Sequence, residues 1–324
     1  MTKEQFFELT AAHILEYLPE SCRGATVEVL ERAKNNDILL HGLTIRKGDK
    51  DREAVPVIYL EPYYDAHRFE GKDMEDIMHE IARDYQKITR DIPDFDLPEM
   101  TPEGIRDKLF VKLVNTRSNQ ERLKDLVRLP VDGGLTLTAY INMDGFSGNA
   151  MIQVTRDLAA NMGYDERELM QDAMRNTVSA YPPTLTEMQK VMMKVAGLRR
   201  LEPGDNLLSE SPEPVEDLTM LILSNTDLYF GATALFYPEI RQQIADVTGG
   251  SFYILPSSVH ELIILPDNGG HDEQALAQMV RSINSTQVQP EEQLGNKVLY
   301  YNAAMDRLMV AVDLDRQMDR GKER

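Results

Sequence analysis

The chain has 324 residues, 42% hydrophobic and 27% charged, with 54 acidic against 35 basic side chains and a formal net charge of −19. That composition excludes a disordered chain, and its length accommodates one large or two ordinary domains. The charge argues against direct nucleic-acid binding, which needs clustered Lys and Arg to meet phosphates. Cys22 is the single cysteine, so an intrachain disulfide is excluded, and it reads as a small buried apolar residue. The N-terminus lacks the basic and apolar regions of a signal peptide. No window approaches about 18 consecutive apolar residues, so no membrane span is expected and the compartment expected is the cytoplasm.

Residues 3–18 predict a helix through Phe7, Ala11, Ile14, Leu15 and Leu18, stopped by Pro19. Three extended segments follow, at Ala25–Leu30, Asp37–Ile45 and Val55–Leu60. Asn35-Asn36-Asp37 supplies turn chemistry between the first two, and Lys47-Gly48-Asp49-Lys50 punctuates the second pair. The spacing then predicts a helix over 73–90, with Met74, Ile77, Met78, Ile81, Tyr85 and Ile88 on one face and Asp73 as N-cap. Residues 91–99 hold two prolines and four acids and read as a linker. Residues 1–92 therefore form an α-β-β-β-α unit, and 101–324 a larger mixed α/β region: an α+β fold.

In the second region Leu109–Val114 and Leu135–Ile141 read as extended, with a turn at Asp132-Gly133-Gly134. Helices are predicted over 165–177 and 184–197. Met188, Val191, Met192 and Val195 give the latter its stripe, and methionines of this kind usually fill core gaps. Residues 201–217 carry six acids, no Lys or Arg, and interspersed prolines, and read as a solvated loop. Leu218–Leu223 is a strand. Ile240, Ile244 and Val247 mark a helix ended by Gly249-Gly250. Ser251–Leu255 and Val259–Leu265 are strands, Leu276, Met279, Val280 and Ile283 mark another helix, and Val298–Tyr301 and Leu308–Val312 close the pattern before a charged tail.

Most catalytic templates fail. There is no phosphate-binding glycine loop of either common spacing. Gly145-Phe146-Ser147-Gly148 lacks the final glycine of a nucleophile elbow, since Asn149 stands there. His79-Glu80 lacks a second histidine four residues on, where Arg83 sits, and His67 adds only one more candidate ligand. Asp313 and Asp315 share a strand face and read as a solvated edge. No metal, cofactor or catalytic residue is assigned.

One segment stands apart. Ser257, Ser258, His260 and Glu261 join two apolar strands, and Ser224, Asn225 and Asp227 follow another apolar run. Strand ends are where sites are grafted. These seven residues are the candidate ligand- or partner-binding set, and a serine–histidine pair among them would suit nucleophilic catalysis. The leading expectation is a non-catalytic protein-binding or regulatory protein with a protein partner and no cofactor. The alternatives are a hydrolase-like enzyme using Ser257 or Ser258 with His260, and an acidic nucleic-acid mimic that inhibits a host defence nuclease.

The stretches 42–47, 58–64, 222–225, 253–261 and 283–288 together resemble an uncharacterised family of roughly 300-residue proteins from gut clostridia, with a fainter likeness to a bacillus-type family around Asn225 and His260. The resemblance implies a bacterial cytoplasmic protein carried on mobile elements, and supplies no activity, cofactor or catalytic residue.

Overall fold

The computed structural model describes residues 1–46, 56–91, 98–143, 151–210, 220–256 and 258–314. The chain divides into two compact units. One holds Met1–Lys34, Ile38–Asp96 and Asp144–Asn149, and the other holds Asn35–Asp37, Leu97–Met143 and Ala150–Arg324. The expected turn at 47–50 lies outside the described residues, as do most of the 91–99 linker, the 145–148 motif and much of the 201–217 loop.

In the first unit helix α1 spans Lys3–His13 and runs into a 3₁₀ turn at Ile14–Tyr17. The Thr2 hydroxyl accepts from the Gln5 amide while the Gln5 side chain accepts from the Thr2 amide, satisfying two amides that a helix start leaves bare. Strands β1 (Thr26–Ala33), β2 (Leu39–Arg46) and β3 (Val57–Tyr59) form an antiparallel sheet in that order. A helix that the sequence reading missed, α2 (Glu61–Phe69), precedes α3 (Met74–Asp91). Phe6, Phe7 and Ile14 meet Leu43, Ile45, Ile58, Ile77, Ile81 and Tyr85 in one core, and Cys22 is buried in it.

The second unit carries two sheets. Helix α4 (Pro102–Ile105) leads to β4 (Leu109–Asn115) and α5 (Arg122–Asp125). Strands β5 (Arg128–Val131), β6 (Leu135–Asn142) and β7 (Met151–Gln153) follow. The sheet order is β4-β6-β5, with β7 also on β6. Helices α6 (Arg156–Met162) and α7 (Glu166–Ala180) come next. Two threonine hydroxyls serve the outer edge of β4: Thr177 on α7 accepts from the Val111 amide at 2.9 Å, and Thr233 accepts from the Leu113 amide at 3.1 Å. An edge strand's free amides are a liability unless covered, and these two are covered by side chains.

The remaining elements are β8 (Pro183–Glu187), α8 (Met188–Val195), β9 (Leu221–Asn225), α9 (Ile240–Thr248), β10 (Phe252–Leu255), β11 (Leu262–Pro266), α10 (Glu273–Gln287), β12 (Lys297–Asn302) and β13 (Arg307–Asp313). They give a six-stranded antiparallel sheet in the order β13-β12-β10-β11-β9-β8. The helix expected over 184–197 is corrected here. Thr184, Leu185 and Thr186 pair with Ser224, Leu223 and Ile222, so the first four positions of that prediction are strand. A ladder partner nearly forty residues away along the chain outweighs the local helical period, which holds only from Met188.

Candidate functional site

Pairing of β11 with β9 through Leu262 and Leu223 sets the connection before β11 beside the end of β9. Ser224, Asn225, Ser258, His260 and Glu261 are thereby brought together at one end of the adjacent interior strands β9 and β11. Ser257 lies outside the described residues. Asp227 is exposed beyond the cluster and accepts from the Thr226 hydroxyl at 3.2 Å.

The hydrogen bonds of this cluster run mainly to backbone. The Ser224 hydroxyl donates to the His260 carbonyl at 2.8 Å. The Ser258 hydroxyl accepts from the amides of His260 and Glu261, at 3.1 and 3.3 Å, and makes no bond to the imidazole. Asn225 accepts from the Tyr229 amide and donates to the Tyr229 carbonyl, closing the loop 225–229 on itself. His260 Nδ1 accepts from the Phe230 amide at 3.3 Å, which leaves the proton on Nε2, 3.4 Å from the Glu292 carboxylate. Burial raises the Glu261 carboxyl above its ordinary range, with His260 pulling it the other way.

Backbone strain concentrates at the same loop. Leu228 and Phe230 sit at φ 55° and 51°, in the left-handed region that non-glycine residues rarely enter. At Gly231 an added Cβ would meet the Ser224 hydroxyl, the His260 carbonyl at 2.6 Å and the Asn225 amide at 2.7 Å, so only glycine lets these backbones approach. The Phe230 ring lies parallel to His260, 7° apart in plane, with Tyr140 packed on it edge-on and the Lys112 ammonium 5.1 Å from its centroid. The chemistry of this cluster is that of a locked strand junction: imidazole, amide and hydroxyls all hold the loop.

Two surfaces outside it were not recognised as exposed from the sequence. On α8 only Val191 is buried, with Met188 partly so. Met192 is 64% exposed, Val195 80% and, just beyond, Leu198 79%, which overturns the core-filling reading for the outer half of the stripe. An anchor fixes this ridge. Asp205, 1% exposed, receives Lys190 at 2.9 Å, Arg199 at 2.8 Å and the Glu202 amide at 2.8 Å. Lys194 and Arg200 flank the ridge with no ion pair among the described residues, and 188–200 contains no acid.

The second surface is a cleft of about 880 Å³ between α7 and β5. Met170, Met174 and Val178 recur at helical spacing along α7 and floor it with Leu129 and Pro238. Arg128, Arg167 and Arg175 stand around it, with Glu166 the one acid. Leu169, Ala173 and Thr177 form the neighbouring buried stripe of α7 and Met170 on the cleft floor is itself buried, so periodicity alone could not tell the inner stripe from the one facing the cleft. Among the described residues no three His, Cys, Asp or Glu side chains stand together as metal ligands, and no helix is long and apolar enough to cross a membrane.

Fold and surfaces define a two-unit α+β protein with antiparallel sheets, an apolar ridge and an arginine-rimmed cleft. From residue 3 to residue 303 the chain matches the model of DUF5688, a family of unknown function, and it belongs to that family. No curated protein and no solved structure matches it.

Proposed function

We propose that this protein acts by binding another protein rather than by catalysis, and that it presents α8 to that partner. Met192 and Val195 on α8 and Leu198 just beyond its end carry the proposal, standing 64%, 80% and 79% exposed beside the Asp205 anchor. Contiguous exposed apolar side chains of this kind mark interaction surfaces more often than scattered ones do. Methionine adapts its shape to a partner at little cost. Lys194 and Arg200, the cations of 188–200 with no ion pair among the described residues in a chain of net charge −19, select an acidic partner segment with apolar anchors. The Ser224 and Ser258 hydroxyls and His260 Nδ1 are taken up by backbone groups at the strand junction, which favours binding over the hydrolase alternative that uses Ser258.

The test places a photo-crosslinking residue at position 192. The expected result is one saturable adduct through an acidic sequence, cut at least tenfold by Val195→Asp with Leu198→Asp and by Lys194→Glu, with unchanged thermal melting. Equal adduct from the double aspartate variant would refute the proposal, as would no adduct above that of a crosslinker on the exposed face of α10.

A further inference from the structure

We infer that the cleft between α7 and β5 is a ligand site for a small carboxylate with an apolar tail. Its volume, about 880 Å³, falls in the range of small-molecule sites, roughly 300–1,000 Å³. The floor of Leu129, Met170, Met174, Val178 and Pro238 offers no hydrogen bond, so it suits a hydrocarbon tail, and its two methionines conform to tails of different shape.

The rim supplies the headgroup chemistry. Arg128, Arg167 and Arg175 line the cleft with Glu166 the one acid in the lining, in a chain where acids outnumber cations 54 to 35, and the Arg128 guanidinium also donates to the Leu123 carbonyl. A guanidinium presents a planar fork that matches a carboxylate with two parallel hydrogen bonds. Arg175 is held in place by buried Asp172 at 2.7 Å. Arg167 makes no side-chain hydrogen bond or ion pair among the described residues, so its donors are free for a ligand. Glu166 is turned towards Arg156, 3.9 Å away, which lessens its repulsion of an anion. A neutral apolar ligand would leave Arg167 unmatched, and a phosphate without a tail would leave the floor wet.

The experiment titrates the full chain, carrying ¹³C-methyl methionine, with sodium decanoate below its micelle concentration and with 1-decanol. Met170→Leu and Met174→Leu assign the two resonances. The expected result is saturable shifts of the Met170 and Met174 methyls with the Met192 methyl unmoved, and binding at least tenfold weaker for decanol and for Arg167→Gln. Unmoved Met170 and Met174 methyls would overturn the inference. So would equal binding of decanol or by R167Q, which would mark adventitious contact with an apolar surface. An acidic amphipathic peptide shifting these methyls where decanoate does not would overturn it in favour of a peptide groove. Val195→Asp with Leu198→Asp leaves every one of these readouts unchanged, so this site stands or falls separately from the α8 proposal.

Discussion

Replacing Asp205 with Asn tests what anchors the α8 ridge. The substitution keeps shape and the acceptor for the Glu202 amide but removes the charge that faces Lys190 and Arg199, both within 2.9 Å. Removing one partner of a buried ion pair typically costs about 3–5 kcal/mol, because the charge left behind is uncompensated. Lys190 and Arg199 keep some access to water, and Lys190 also reaches Glu187 at 2.9 Å, so the lower end, about 3 kcal/mol, is expected. In a chain of two units the clean assay is local: hydrogen exchange of peptides covering β8 and α8 at neutral pH. About 3 kcal/mol predicts amides there exchanging roughly a hundredfold faster, with the first unit unaffected. An increase below about threefold would refute the reasoning. Acid supplies the matching test. Burial alone would raise the Asp205 carboxyl, but the Glu202 amide, Lys190 and Arg199 outweigh it and hold the pKa below the ordinary carboxylate range. The folded carboxyl is then the stronger acid. Its contribution is fully present above the unfolded pKa of about 3.9 and is lost as pH falls through the lower folded value. The stability gap between wild type and Asp205→Asn therefore narrows on acidification below about pH 4, and a gap that widened there would contradict the pairing.

Three further outcomes follow from the geometry. Gly231→Ala puts a methyl against the Ser224 hydroxyl and the His260 carbonyl and is expected to cost about 1–3 kcal/mol in urea unfolding, whereas Gly163→Ala, with nothing within 4 Å of its Cβ, pays only for its left-handed backbone. His260→Phe keeps the stack on Phe230 but removes the Nδ1 acceptor, so the Phe230 amide should exchange about tenfold faster while the sheet amides of β9 and β11 stay protected; an unchanged Phe230 amide would show that the imidazole does not hold the loop. Burial pushes the Tyr229 and Tyr85 phenols up to about 12, and Tyr140 and Tyr237 higher still, so spectrophotometric titration at pH 11 should ionise clearly fewer than the 13 tyrosines of the chain. Because the unfolded chain ionises its tyrosines near pH 10, that stability is present below pH 10 and is lost as pH rises towards the folded values. Full ionisation at pH 11 without unfolding would show these rings to be more open than the packing requires.

The amino-acid order by itself determined the elements whose signals are local. Helix α3 is legible in its Ile77–Ile81–Tyr85 stripe, α9 in Ile240, Ile244 and the Gly249 stop, and the β1–β2 turn in Asn36 and Asp37, both of which take left-handed angles. It also brought Ser224, Asn225, His260 and Glu261 into question together, because each stands where an apolar run ends. What those residues do is decided by pairing between distant strands: β9 beside β11 turns the Ser224 and Ser258 hydroxyls and His260 Nδ1 onto backbone groups. Strand pairing also overrode the helical period at Thr184–Thr186. The largest difference concerns exposure. Periodicity shows that Met192 and Val195 on α8, or Met170 and Met174 on α7, share a face, but whether that face is covered depends on what the rest of the chain packs against it, and only the tertiary structure leaves one stripe bare and opens a cleft beside the other.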